Sequence, residues 1–309
     1  MSTQSNTMPH FLDSQRVAPV LSEPHPFLWS VRRELWEYRF IYLAPAGVAA
    51  VFLLGFLISL GRLPAKIRGL SGLDPAHYRE AIAMPYDMIA GLMMFTGILI
   101  SIFYCVDALY GERRDRSILF WKSLPVSDLT AVLAKATVPL VIVPLVTFVT
   151  AAAVQCLMLL LSSVVLLGNG MSVGNLWAQL PLFQMSLLLL YHLVTAHTLW
   201  PAPVYSWLML VSAWARRAVL LWAILPVLAI AGLERIVFHT SNFAFLVGTR
   251  VIGAAHHTSF DPPDVFPTNP MAHITPGRFL ATPELWIGLI IAAAFLFAAS
   301  RLRRERGPI

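Results

Sequence analysis

Two histidines, His192 and His197, stand five residues apart inside one apolar run. Five residues turn an α-helix by about 140°, so the two rings point apart and cannot form the i, i+4 pair that grips one metal ion. No glutamate accompanies them as in H-E-x-x-H, which leaves a zinc hydrolase without support. Polar side chains in an apolar run need partners in a helix bundle or a polar pathway. His192, His197 and Gln155 are read as bundle residues, with pathway lining as the alternative. His239, His256, His257 and His273, with Asp261 and Asp264, show no ligand spacing and lie among prolines, as in a loop. Cys105 and Cys156 sit in apolar runs and read as small buried hydrophobes. The chain also lacks the G-x-x-x-x-G-K-[ST] phosphate cradle. No catalytic, cofactor-binding or metal-binding residue is therefore assigned.

The segment from Tyr110 to Lys135 carries a different chemistry, that of recognition. Glu112, Arg113, Arg114, Asp115 and Arg116 come within five residues, and Ile118, Leu119, Phe120 and Trp121 follow. A solvated hairpin has little use for four large apolar residues in succession. Charges that set register beside apolar anchors that supply affinity are the makings of a docking helix. Pro125 ends it, and Ser127 with Asp128 can cap the next helix. The expected contact set for a protein partner is Glu112, Arg113, Arg116, Ile118, Leu119 and Trp121.

The elements that must hold these residues follow from composition. The 309 residues are 58% hydrophobic and 12% charged, with mean hydropathy +0.71. Ordinary globular domains carry roughly 25% charged residues, so a soluble enzyme, a disordered chain and a two-cysteine disulfide scaffold are all excluded. About 20 apolar residues span a hydrocarbon core. Six such runs are read, at 42–60, 86–109, 136–167, 176–199, 218–238 and 285–300. Pro139 and Pro144 predict a kink in the third. Within 27–40, Phe27, Leu28, Val31, Leu35 and Tyr38 share one helical face, opposite Arg33, Glu34 and Glu37, which predicts an amphipathic helix lying in the membrane interface. Residues 1–26 are polar, lack an apolar core and read as a disordered tail rather than a cleaved signal.

Lys and Arg counts at alternate loops set the orientation. One side holds Arg16, Arg32, Arg33 and Arg39, then Arg113, Arg114, Arg116, Lys122 and Lys135, then Arg216 and Arg217, then Arg301, Arg303, Arg304 and Arg306. The other holds Arg62, Lys66, Arg68, Arg79, Arg235, Arg250 and Arg278. The richer side is expected to be cytoplasmic, with both termini there, in a plasma or bacterial inner membrane. The basic tail 301–309 reads as a stop-transfer flank. Topology accounts for the pI of about 9.6, so no nucleic acid partner is expected.

Glu112 to Ser117, followed by Leu124-Pro125-Val126-Ser127 and by Lys135 opening the third span, resembles the coupling loop of permease subunits of ABC-2 type ATP-binding-cassette exporters. Ser212 to Arg217 before the fifth span, and Pro226 within it, resemble a subgroup of these permeases. The likeness runs from about Trp29 to Arg306. It implies an all-α polytopic permease domain over 27–300, with an N-terminal interfacial helix, six transmembrane helices, a coupling loop at 110–135 and an external loop at 239–283. In that family the coupling loop sits in a cleft of a separate ATPase subunit, which binds ATP and Mg, and short re-entrant helices cap the path; Asn242 to Ala255 would supply one. A second permease and membrane lipids are the other implied partners, and the nearly uncharged spans suit a lipid-like or amphipathic cargo. Rival readings are an ion-coupled secondary transporter, which would place acids or repeats at midplane, an intramembrane hydrolase, and a scaffold that binds an ATPase without transport.

Overall fold

A computed structural model of the chain describes residues 26–70, 72, 74–119, 126–252 and 274–305. The described residues form helices and their connections, with no strand among them. Six stretches are long and apolar enough to cross a membrane, as in a multi-pass membrane protein. In chain order, α1 is Pro26–Glu37, α2 Phe40–Leu60, α3 Leu63–Leu70, α4 Pro75–Asp107 and α5 Tyr110–Arg114. After the undescribed residues 120–125 come α6 Asp128–Thr137, a π-helical turn Val138–Ile142, and α7 Val143–Gly168. Then follow α8 Gly174–Gln179, α9 Leu182–His192, a second π-helical segment Leu193–Leu199, and α10 Ala202–Trp214. The chain closes with α11 Val219–Phe238, α12 Asn242–Ile252, α13 Pro276–Leu280 and α14 Pro283–Glu305.

Two apolar clusters divide the bundle along its length. One, toward α1, joins Ile41, Tyr104, Val132, Tyr205 and Ala299. The other, toward α3, joins Phe56, Ile89, Met158, Leu166 and Leu189. The outward faces of α2 and α11 stay apolar, with Val51, Ile58, Leu221 and Ile236 exposed, which is a surface for acyl chains rather than water.

The prolines explain the irregular turns. Pro139 cannot donate to the carbonyl four residues back, and the widened π turn absorbs its ring; Val143 N bonds Val138 O across it. The fourth apolar run, Leu176–Leu199, has the bounds the sequence reading gives it. The chain turns at Trp200 and Pro201 and enters α10, which reaches Ser212 beside the start of α5. Pro201 leaves the His197 carbonyl without its usual donor, and Tyr205 Oη supplies one at 3.3 Å. His192 and His197 lie in the second half of that run.

Where the two clusters meet, α4 and α7 approach the second π segment closely. A Cβ placed on Gly97 would stand 2.8 Å from Thr147 Oγ1 and 3.0 Å from His197 Nε2, so only glycine fits. Beyond α11, Glu234 accepts from the Asn242 and Phe243 amides at 2.8 Å and caps α12. Arg250 of α12 then reaches the Trp200 carbonyl at 3.0 Å and covers the Trp200 ring at 4.1 Å, with Gly288 leaving room for its guanidinium.

Gly97→Ala is expected to lower stability by ~1–3 kcal/mol, the range for overpacking a close contact. Gly91→Ala, on the same helix with open space around it, should be neutral or slightly stabilising. Unfolding of both variants in the same detergent measures the difference, and equal midpoints would disprove the contact.

Candidate functional site

The most densely built site lies at the α1 end, where charge is buried. Glu34 on α1 accepts from Lys135 Nζ at 2.9 Å and from Tyr104 Oη at 2.7 Å. Glu112 on α5 receives Arg33 Nη2 at 3.0 Å, Lys135 Nζ at 3.3 Å and Arg303 Nη2 at 3.2 Å. Arg303, near the end of α14, also pairs with Asp128 at the start of α6. Three carboxylates, Glu34, Glu112 and Asp128, thus face three cations, Arg33, Lys135 and Arg303. Glu34, Glu112, Lys135 and Arg303 are buried while Arg33 and Asp128 are part-exposed, and the matched pairing is what makes burial of those four charges tolerable.

Hydrogen bonds to backbone extend this network. Arg113 Nη1 donates to the Ala213 and Ala215 carbonyls at 2.7 and 3.1 Å, where α10 ends and its last carbonyls lack helical partners. Ser212 Oγ accepts from Leu109 N and Tyr110 N at 3.1 and 2.8 Å, serving the break between α4 and α5. Tyr38 donates to Asp107 at 3.3 Å. Burial, and then the Asp107 carboxylate, push the Tyr38 phenol well above its ordinary pKa, so it remains a neutral donor. Arg116 adopts a left-handed φ of 58°, which turns the chain sharply after α5.

The expected contact set divides on this scaffold. Glu112, Arg113 and Ile118 are 2%, 4% and 1% exposed and face into the chain itself. Leu119 is 59% exposed, Arg116 is exposed, and Arg114 and Asp115 are exposed beside them. Trp121 lies outside the described residues, as do His256, His257, His273, Asp261 and Asp264. Glu34 also departs from the sequence reading, which puts it on the solvated face of α1. It is buried, because Lys135 and Tyr104 wait on α6 and α4. The large apolar residues that α1 leaves exposed are Phe27, Leu28, Trp29 and Trp36, with Arg32 and Glu37 exposed among them. Sequence reasoning did not find Lys135, Asp128 and Arg303 as members of one site. The available signal was Lys135 itself, a lone cation with no further charge until far beyond the next apolar run.

The polar residues inside the bundle fare unevenly. Gln155 Nε2 donates to the Tyr86 carbonyl at 3.0 Å and links α7 to α4. His192 Nδ1 lies 3.0 Å from Leu188 O in its own helix. His197 is buried, and neither of its ring nitrogens nor Thr147 Oγ1 has a hydrogen-bond partner among the described residues. No group of three or more His, Cys, Asp or Glu able to hold a metal occurs among the described residues. Ser127 Oγ accepts from Thr130 N at 3.1 Å and makes the cap expected before α6.

Compared with protein-family models, curated proteins and solved structures, the chain finds no match.

Lys135→Met strands Glu34 without its buried cation, while Glu112 keeps Arg33 and Arg303, and a loss of ~3–5 kcal/mol of stability is expected. Adding Glu34→Gln removes the stranded charge and should restore part of that loss. Denaturant unfolding of the two single variants and the double variant measures the coupling; strictly additive losses would contradict it.

Proposed function

We propose that the chain is the membrane-spanning permease subunit of an ABC-2 type exporter. ATP and Mg are bound and hydrolysed in a separate ATP-binding-cassette subunit, and a second permease, identical or related, completes the path. The observation that carries this reading is the two-sided build of the segment after α4. Its inner side, Glu112, Arg113 and Ile118, is fastened to α1, α6, α10 and α14. Its outer side offers Arg116 and Leu119 beside Arg114 and Asp115, with Trp121 expected to follow. A partner that grips the outer side moves the ends of four helices, because breaking a buried ion pair costs more than displacing it whole.

Other features support the same reading. With no phosphate cradle in this sequence, ATP use by this exporter falls to a partner chain. The Lys and Arg bias favours a cytoplasmic α1 end, where ATP is, in a plasma or bacterial inner membrane. Helix α1, with Leu28, Trp29 and Trp36 exposed, serves as the interfacial helix. Helix α12, folded back against Trp200, takes the place of a re-entrant cap. Apolar spans with few charges favour a lipid-like or otherwise amphipathic cargo over a small ion.

Leu119→Ala combined with Arg116→Ala should reduce co-purification of an ATP-binding-cassette protein about tenfold, as expected when an exposed anchor worth at least ~1.4 kcal/mol is lost. The permease's own unfolding midpoint should not move. Undiminished co-purification rejects these contacts. Absence of any such ATPase from cross-linked, gently solubilised membranes rejects the exporter reading. A non-transporting scaffold is separated by reconstituted vesicles, in which it neither moves cargo nor raises ATP hydrolysis.

Orientation is checked with single cysteines in a Cys105→Ala, Cys156→Ala background. Asp115→Cys should react with an impermeant maleimide only in opened cells, and Arg68→Cys in intact ones. The reverse pattern would invert the topology.

A further inference from the structure

At the end of the bundle remote from α1, a groove of about 360 Å³ runs between α2, the turn into α3, and α4. That volume lies within the ~300–1,000 Å³ typical of small-molecule sites. Phe56, Leu60, Met84 and Met88 form its apolar walls, and Arg62 and Lys66 stand at its rim. The Lys66 amide bonds the Arg62 carbonyl at 3.0 Å, so the two are related by one helical turn and their side chains share a face.

The position of Lys66 follows from a proline. Pro85 in α4 cannot donate to the Ala81 carbonyl, and Lys66 Nζ does so at 3.0 Å. That bond uses one of three ammonium N–H groups and holds the charge over the groove. Arg62 is exposed beside it. No carboxylate lines the groove among the described residues: Glu80 and Asp87 of α4 are absent from its walls.

Two cations at the end of an apolar helix, above an unbranched and adaptable methionine wall, are complementary to one kind of molecule. Its head must be anionic, its body must be an acyl chain, and both must meet at the hydrocarbon boundary. We propose that this groove binds an anionic glycerophospholipid, with the phosphate between Arg62 and Lys66 and the start of one acyl chain along Met84 and Met88. A zwitterionic lipid brings a choline cation toward the same two charges and fits less well. The inference is independent of the exporter reading, since it requires only that α2 and α4 cross a bilayer and that the turn after α2 lie at its surface.

The test uses the full chain purified in mild detergent, stripped of co-purified lipid and titrated with dioleoyl phosphatidylglycerol or dioleoyl phosphatidylcholine under native mass spectrometry. The unaltered protein should retain the first lipid over the second. Arg62→Gln should cut that preference about fivefold, the value of one basic side chain near anionic lipid. Met88→Trp, which fills the groove without changing charge, should lower occupancy by both lipids. Arg32→Gln, at the other end of the bundle, should leave the preference unchanged. Equal retention of the two lipids by the unaltered protein overturns the proposal. So does an Arg62→Gln variant whose preference matches it.

Discussion

Lys135 Nζ sits between Glu34 and Glu112, and the position of five helices depends on that one ammonium. Glu34 brings α1, Glu112 brings α5, and Lys135 itself belongs to α6. Arg303 shares Glu112 and so fixes the end of α14, while Tyr104 ties α4 to Glu34. Buried ion pairs are weak contributors to net stability, because apolar groups of the same volume serve about as well. Their effect is asymmetric: any arrangement that separates one member strands a charge. The cluster therefore selects a single register among helices whose apolar faces would tolerate several. Membrane helices particularly need such selection, since lipid tails are as good a neighbour for leucine as another helix is.

A second constraint acts along the backbone. In hydrocarbon each unpaired carbonyl is costly, and prolines inside helices create them. The structure serves them with side chains from elsewhere. Lys66 covers the carbonyl that Pro85 frees, Tyr205 Oη covers the one that Pro201 frees, and Arg250 covers Trp200 O at the same break. Each of these bonds joins two segments, so a local defect becomes a tertiary tie. The two π-helical segments arise from the same cause, as the chain widens to admit a ring or to reach the next donor. The two segments pack against each other and against α4, and the second meets α4 at Gly97.

Much of this architecture was legible in the sequence because hydrophobicity reports on length. A run of about 20 apolar residues has few alternatives to a crossing helix, and the Ser127 cap and the irregularity near Pro139 follow from local chemistry. Pairings over long separations were not legible. Glu34 and Lys135 are a hundred residues apart, and on α1 alone Glu34 belongs to a polar face that ought to meet water. Only the approach of α6 turns that face into an interior. The donors at the turn after the fourth run were hidden for a related reason, since Arg250, which serves the Trp200 carbonyl, lies fifty residues further on.

The recognition loop shows where pattern reading has its limit. Glu112 to Trp121 mixes charge and apolarity, yet composition cannot say which of these residues the chain's own packing uses. Burial separates them: Glu112 and Arg113 meet five groups of their own chain, while Arg116 and Leu119 meet none that would hide them. A segment that used all its charge on a partner would be a loose tether, because nothing would hold it to the bundle. One that used all of it internally would offer a partner nothing to grip. Holding Glu112, Arg113 and Ile118 inward while Arg114, Asp115, Arg116 and Leu119 stay outward meets both requirements. Under the proposed exporter reading, the contacts that are costly to break lie on the bundle side and the replaceable ones on the partner side.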